Sequence, residues 1–282
     1  MDAADPPAEF ETVPDVLETK AASRGEDPFL TYGDTQVSYA DLDRRANAIA
    51  NSLADEGVEP GDTVCLFLYN SLEYVATYFG LAKLGAVVAP VDTRFTGETL
   101  QAVLSRSDAN LVLLDADTRD AYEAVRNQVP NITTEYFVGT ADEPTHYREF
   151  AHLLEGERES PPPVDVDETD TLSITFIQRH AGEQPKGVML PQFSYVNTGW
   201  EVARNIFQFT PSDRLFTTLP LYSIFTVQLG VMGSLLADAE FVLGDPFVPD
   251  VFWDQVDDHQ ATIILYLGRM LSVLYNQEAG RE

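Results

Sequence analysis

The sequence predicts an α/β fold: two largely parallel sheet lobes flanked by helices, the second lobe incomplete. Three observations carry this. Helix-period and strand-like segments alternate along most of the chain. An acidic stretch holding Pro161-Pro162-Pro163 separates one such series from another. A chain of 282 residues with 44% hydrophobic content can bury a sizeable core. Residues 1–10 read as an acidic N-terminal tail, 11–154 as the first lobe, 155–170 as the linker and 171–282 as the second lobe, truncated.

In the first lobe, Ser38 stands three residues before Asp41 and opens the apolar run Leu42, Ala46, Ile49, Ala50, Leu53, the pattern of a capped amphipathic helix. A turn at 57–62 leads to a buried strand over 64–68. A helix over 71–84 is closed by Gly85, a strand follows over 86–90, then a helix over 96–105 and a strand over 110–114. These are two successive strand-helix-strand units. After the linker come a strand (173–177), a helix (193–209), a strand (214–219), a helix (226–236), a strand (240–243), a helix (252–259), a strand (263–267) and a last helix near 270–277.

The formal net charge is −29, with 46 acids against 17 basic residues, and Lys20, Lys83 and Lys186 are the only lysines. This balance repels nucleic acid and anionic membranes. The acids are spread through apolar segments rather than clustered, which implies a solvated surface suited to a salt-rich cytoplasm. At about 1 M salt the Debye length falls to about 3 Å, so self-repulsion is quenched. No apolar run approaches the ~18 residues of a membrane span, and the acidic N-terminus lacks a secretory pattern, so a cytoplasmic protein is expected. Cys65, the single cysteine, sits in an apolar run and is expected to be a buried, inert thiol. His146, His152 and His259 have no ligand-like spacing, and no metal site is expected.

Several stretches, taken in order, resemble the N-terminal part of the AMP-forming acyl-CoA synthetases, the adenylate-forming ligases. They are Val37-Ser38-Tyr39-Ala40-Asp41-Leu42, Gly57-Val58-Glu59-Pro60-Gly61-Asp62, Asn70-Ser71-Leu72-Glu73-Tyr74, the run from Leu81 through Pro90, Pro185-Lys186-Gly187-Val188-Met189-Leu190, Leu219-Pro220-Leu221-Tyr222 and the run from Ala261 through Leu271. The flavour is that of carnitine or medium-chain acid-CoA ligases. The resemblance implies a two-step reaction in which a carboxylate attacks the α-phosphate of Mg-ATP, and the thiol of CoA then displaces AMP. ATP, Mg²⁺ and CoA are thus implied, with a small carboxylic acid as substrate. Such chemistry rests on placing charged groups and neutralising phosphate.

The resemblance also places a phosphate loop at Gln178, Arg179, His180, Ala181, Gly182, Glu183, Gln184, Lys186 and Gly187. The family loop, Tyr-Thr-Ser-Gly-Thr-Thr-Gly-x-Pro-Lys-Gly, is rich in hydroxyls, and here they are gone. Arg179, His180 and Lys186 still offer donors to an anion. Glu183 stands where the family has a glycine; a carboxylate about 4 Å from a phosphate charge costs about 4 kcal/mol at an effective dielectric near 20. The other reading is an ordinary loop whose Arg and His meet surface carboxylates. Tyr222, Ser223 and Gly268 are the implied substrate pocket, with Ser223 replacing a family histidine. The Tyr-Gly-x-Thr-Glu motif and the catalytic lysine of the small C-terminal domain do not occur. Two functions remain open: an acid-thiol ligase, inactive or impaired as this chain alone, or a non-catalytic partner of a complete paralogue, by homo-oligomerisation or pairing with a complementary chain. A dinucleotide binder is disfavoured because no Gly-x-Gly-x-x-Gly follows an early strand.

Overall fold

The computed structural model describes residues 10–139, 146–156, 158, 160–177 and 184–279. In chain order the elements are α1 (Val13–Arg24), β1 (Pro28–Tyr32), β2 (Thr35–Ser38), α2 (Tyr39–Asp55), β3 (Thr63–Phe67), α3 (Leu72–Leu84), β4 (Val87–Pro90), α4 (Gly97–Arg106), β5 (Leu111–Asp115), α5 (Ala116–Glu123), β6 (Thr134–Val138) and β7 (Arg148–Glu149). The remainder are β8 (Thr171–Ile177), β9 (Lys186–Pro191), α6 (Gln192–Glu201), β10 (Arg214–Thr217), α7 (Gly233–Leu236), β11 (Glu240–Leu243), α8 (Pro249–Asp258), β12 (Ile263–Leu265) and α9 (Gly268–Ala279).

Local chemistry sets the helix ends. The hydroxyl of Ser38 accepts the N–H of Asp41 at 3.1 Å, and that of Ser71 accepts the N–H of Tyr74 at 3.1 Å, each satisfying an orphan donor of a first turn. α3 stops where Gly85 turns left-handed at φ 70°, a conformation glycine adopts at little cost. Residues 74–84 of α3 are all buried, so this helix lies inside the molecule. Its Lys83 side chain is fully enclosed and is neutralised by Glu18 at 2.5 Å and Asp43 at 2.9 Å.

The strands form two sheets. The first has the order β7-β6-β5-β3-β4-β8-β9, parallel except for the β8–β9 hairpin, with Val64 opposite both Leu111 and Val88. The second has the order β12-β10-β11-β1-β2, parallel except for β1–β2, with Phe241 between Leu30 and Leu215. Buried apolar side chains of both sheets and of α1–α3 join in one core, and a second cluster around Phe67, Leu104 and Val112 fills the far face of the first sheet. Cys65 lies in that second cluster, fully buried; burial pushes its thiol up to about 12.

The sheets do not divide at 155–170. β8 follows that segment yet pairs with β4, whereas β1 precedes it and pairs with β11, carrying β2 at the sheet edge. The segment itself packs on the first sheet's helices: Asn51 Nδ2 donates to the Ser160 carbonyl at 2.8 Å, and Val164 joins the core beside Gly85. Prolines favour an extended path, but nothing in them prevents that path from docking. The helix expected over 193–209 begins as α6 and widens over Val202–Ile206, where the Phe207 N–H reaches the Val202 carbonyl five residues back at 2.9 Å. A similar wide turn spans Thr226–Met232.

Candidate functional site

The C-terminal ends of parallel strands from both sheets converge on one cleft of about 240 Å³. Tyr32 follows from β1, Leu68, Tyr69 and Asn70 from β3, Thr93 and Arg94 from β4, Thr218, Pro220 and Tyr222 from β10, and Pro246 and Phe247 from β11. Open parallel sheets place ligands at this end, where the loops diverge.

Each wall has a local cause. The Tyr69 N–H donates to Asp115 Oδ2 at 2.6 Å, which ties the β3 exit to the start of α5. Asn70 spans the two sheets, its Nδ2 donating to the Leu219 carbonyl at 3.0 Å and its Oδ1 accepting the Leu221 N–H at 2.8 Å. The Leu219 N–H also donates to Thr217 Oγ1 at 3.1 Å. The segment between β10 and the next helix is therefore pinned at both ends, and Tyr222 projects from a fixed turn.

At the rim, Asp92 accepts from Arg94 three times: from its N–H at 2.9 Å, from Nε at 3.0 Å and from Nη2 at 2.6 Å. Burial acts to raise the Asp92 carboxyl, but the hydrogen bonds from Arg94 and from Tyr222 outweigh it and hold it below the usual carboxylate range. The Arg94 guanidinium is correspondingly pushed up. Burial, reinforced by the Asp92 charge, pushes the Tyr222 phenol up to about 12. Across the cleft Tyr32 is raised by burial and by Asp245, Glu73 and Asp115. Among the described residues the cleft thus has aromatic walls, one lining cation at its rim and an acidic surround.

Of the residues expected in a substrate pocket, Tyr222 lines the cleft. Ser223 starts the following helix, its N–H donating to the Pro220 carbonyl at 3.1 Å and its own carbonyl accepting from Thr226 at 2.9 Å; Gly268 is exposed at the head of α9. Among the described residues lining the cleft neither appears. Gln178, Arg179, His180, Ala181, Gly182 and Glu183 lie outside the described residues. Val88 of β4 stands opposite Ser173 of the parallel strand β8, so β8 runs to its end at Ile177 in the same direction as β4 runs toward Asp92. Ile177, the last residue of β8, stands at the C-terminal end of the strand, the end of the sheet at which the cleft lies. Past residues 178–183, Gln184 Oε1 accepts from Arg106 Nη1 at 3.0 Å, and Lys186 is exposed opposite Ile177. Gly187 has a packing reason of its own, because a Cβ there would stand 2.9 Å from Cγ2 of Ile174.

Tyr32, Tyr69, Arg94 and Phe247 were not marked by the sequence as site residues. The signal that was available is Asp92-Thr93-Arg94 shortly after a strand, an acid and a base two apart at the C-terminal end of a parallel strand. Lys186, the one lysine of the expected phosphate loop, is exposed at the start of β9. Among the described residues no group of three or more His, Cys, Asp or Glu is placed to hold a metal ion.

A family model described as "AMP-binding enzyme" matches residues 17–282. The chain belongs to the AMP-binding enzyme family. Among curated AMP-binding relatives, the crotonobetaine/carnitine–CoA ligase of Salmonella heidelberg (strain SL476) is 29% identical over 250 residues, covering 86% of this chain and 47% of the relative. Long-chain fatty acid transport protein 2 of Rattus norvegicus is 27% identical over 278 residues, covering 94% of this chain and 43% of its own. The chain spans about half the length of the curated relatives it matches. Solved structures with the same fold include the anthranilate CoA ligase AuaEII in complex with anthranoyl-AMP, at TM-score 0.86 and 21% identity over 94% of this chain and 51% of that one. A long-chain-fatty-acid-CoA ligase from Archaeoglobus fulgidus superposes at TM-score 0.85 with 18% identity, over 97% and 54%. The expected α/β fold with two mostly parallel sheets flanked by helices is that of the N-terminal domain of acyl-CoA synthetases.

Proposed function

We propose that this chain carries the acid site and phosphate loop of an AMP-forming acyl-CoA ligase, and that by itself it is inactive or impaired in adenylation. The observation that carries the reading is the cleft at the strand ends, with Arg94 and Tyr222 at its edge and β8 running parallel to β4 toward the same end of the sheet. In this reading ATP supplies the activation and CoA receives the acyl group. The chain's own residues bind and orient. Asp92 holds the Arg94 guanidinium in one plane through Nε and Nη2, which leaves other N–H donors of its five for a carboxylate. Tyr222, kept protonated by its raised pKa, offers a neutral hydroxyl at neutral pH. Lys186 meets phosphate, and Arg179 and His180 add donors. The relatives named for CoA ligation support this class of reaction.

Impairment follows from the loop. Loss of positioned donors costs about 10²- to 10³-fold per group in typical cases, and Glu183 adds a repulsive charge. Acid-dependent ATP–pyrophosphate exchange in molar KCl tests the proposal. No exchange above a heat-treated control is expected, while Glu183→Gly strengthens Mg-ATP binding measured by calorimetry. Exchange that Lys186→Ala abolishes would overturn the impairment and retain the ligase. A cytoplasmic, salt-adapted setting accords with the −29 charge.

A second reading, a non-catalytic partner of a complete ligase chain, is favoured by one observation. Val251, Trp253, Tyr266, Leu267, Leu271, Val273 and Tyr275 are large apolar side chains exposed along 251–275. Co-purification with a complete paralogue, lost on Leu271→Asp, is its test.

A further inference from the structure

Resting on the ligase reading, we infer that the cleft is built for a compact monocarboxylic acid, aryl or short-chain, and that it is closed to long alkyl chains. The cleft holds about 240 Å³. An apolar cavity of about 150 Å³ accepts a benzene ring, so the cleft has room for one ring with a small substituent or for a short chain. Its walls are the rings of Tyr32, Tyr69, Tyr222 and Phe247, which suit a flat apolar body by offset or edge contacts.

The floor decides the length. Behind Pro220 and Tyr222 lies Leu221, 1% exposed, and beyond it an apolar void of about 10 Å³ among Tyr74, Val75, Tyr78, Phe79, Val227, Val231 and Met232. That is about one water-sized sphere. An alkyl chain entering past Tyr222 meets Leu221, which Asn70 and Thr217 hold through the backbone hydrogen bonds of 219–221. Opening a tunnel would break those bonds and part α3 from the wide-turned helix of Thr226–Met232. The surroundings also limit charge: Asp245, Glu73 and Asp115 act on Tyr32 at the far wall, so a second carboxylate meets repulsion while the first meets Arg94 at the rim.

Saturation-transfer NMR in molar KCl, with benzoate as the reporter and unlabelled acids as competitors, tests this on the intact chain. Butanoate is expected to displace benzoate, whereas decanoate below its micellar range and the dicarboxylate phthalate are not. Tyr69→Ala, at a half-exposed wall position, is expected to weaken benzoate about tenfold with the circular dichroism spectrum unchanged. Leu221→Ala should join the cleft to the void and raise decanoate affinity about tenfold. Decanoate displacing benzoate from the unaltered chain at equal or lower concentration overturns the size limit and leaves the acid site standing. Benzoate that does not bind, or whose binding ignores Tyr69→Ala, overturns the assignment of the cleft to an acid.

Discussion

Asn70 grips Leu221 across 151 positions of chain: its Oδ1 accepts the Leu221 N–H at 2.8 Å while its Nδ2 donates to the Leu219 carbonyl at 3.0 Å. One side chain at the end of β3 thereby closes two backbone groups of the loop after β10, and the two sheets meet through it. The wall that carries Tyr222 owes its position to this amide.

Asn70→Ala should therefore lower stability by about 1–3 kcal/mol, because Leu219 and Leu221 are buried and their backbone groups lose their partners. Urea unfolding would show a lower midpoint with an unchanged slope. An unchanged midpoint would mean that water replaces the amide.

Lys83→Met should be the more costly change. It leaves Asp43 and Glu18 facing a buried apolar group, and breaking such a pair typically costs about 3–5 kcal/mol; the lower end is expected because Glu18 is half-exposed. Adding Asp43→Asn to Lys83→Met should restore part of the loss. A double variant no more stable than the single one would show that water already solvates Asp43.

The acid limb of stability should depend on Glu135. Burial acts to raise its carboxyl, but Arg126, at 2.7 and 2.8 Å, and the Tyr122 hydroxyl, at 2.6 Å, outweigh it and hold it below its ordinary value. A depressed folded pKa contributes stability above the unfolded value, about 4.5, that is lost as pH falls through the folded one. Glu135→Gln should be less stable than the parent at pH 6, with the gap narrowing on acidification below about pH 4.5. Thermal midpoints of both chains across that range decide; a constant gap removes the proton linkage.

Salt should stabilise the fold, since 46 acids face 17 basic residues and screening weakens their repulsion. Thermal unfolding from dilute buffer to molar KCl should show a rising midpoint. A midpoint independent of KCl would end the salt-adapted reading.

Much of the local structure was legible. Ser71 and Gly85 bracket α3 as their cap chemistry requires, and the alternating runs identify β3, β4, β5, β8, β10 and β11 within a residue or two. The site was less so. Tyr222, expected from Leu219-Pro220-Leu221-Tyr222, lines the cleft, whereas Tyr32, Arg94 and Phe247 belong to three separate strand ends that share no spacing. Ser223 and Gly268 stand at the starts of helices, and neither is among the described residues that line the cleft.

The sequence by itself determined the helix caps, the alternation of strands and helices, the inert thiol at Cys65, and the order of stretches that marks the AMP-binding fold. These are properties of residues close in the chain, where propensity, period and capping act directly. Only the tertiary structure decided that β1 and β2 join β11 while β8 joins β4, and that the proline segment docks against α2 rather than separating two bodies. A strand's side-chain pattern says which faces are buried, not which strand lies beside it. That choice is made by long-range pairing and by how the crossover helices pack, and it is the same choice that brings Tyr32 and Phe247 to face Arg94.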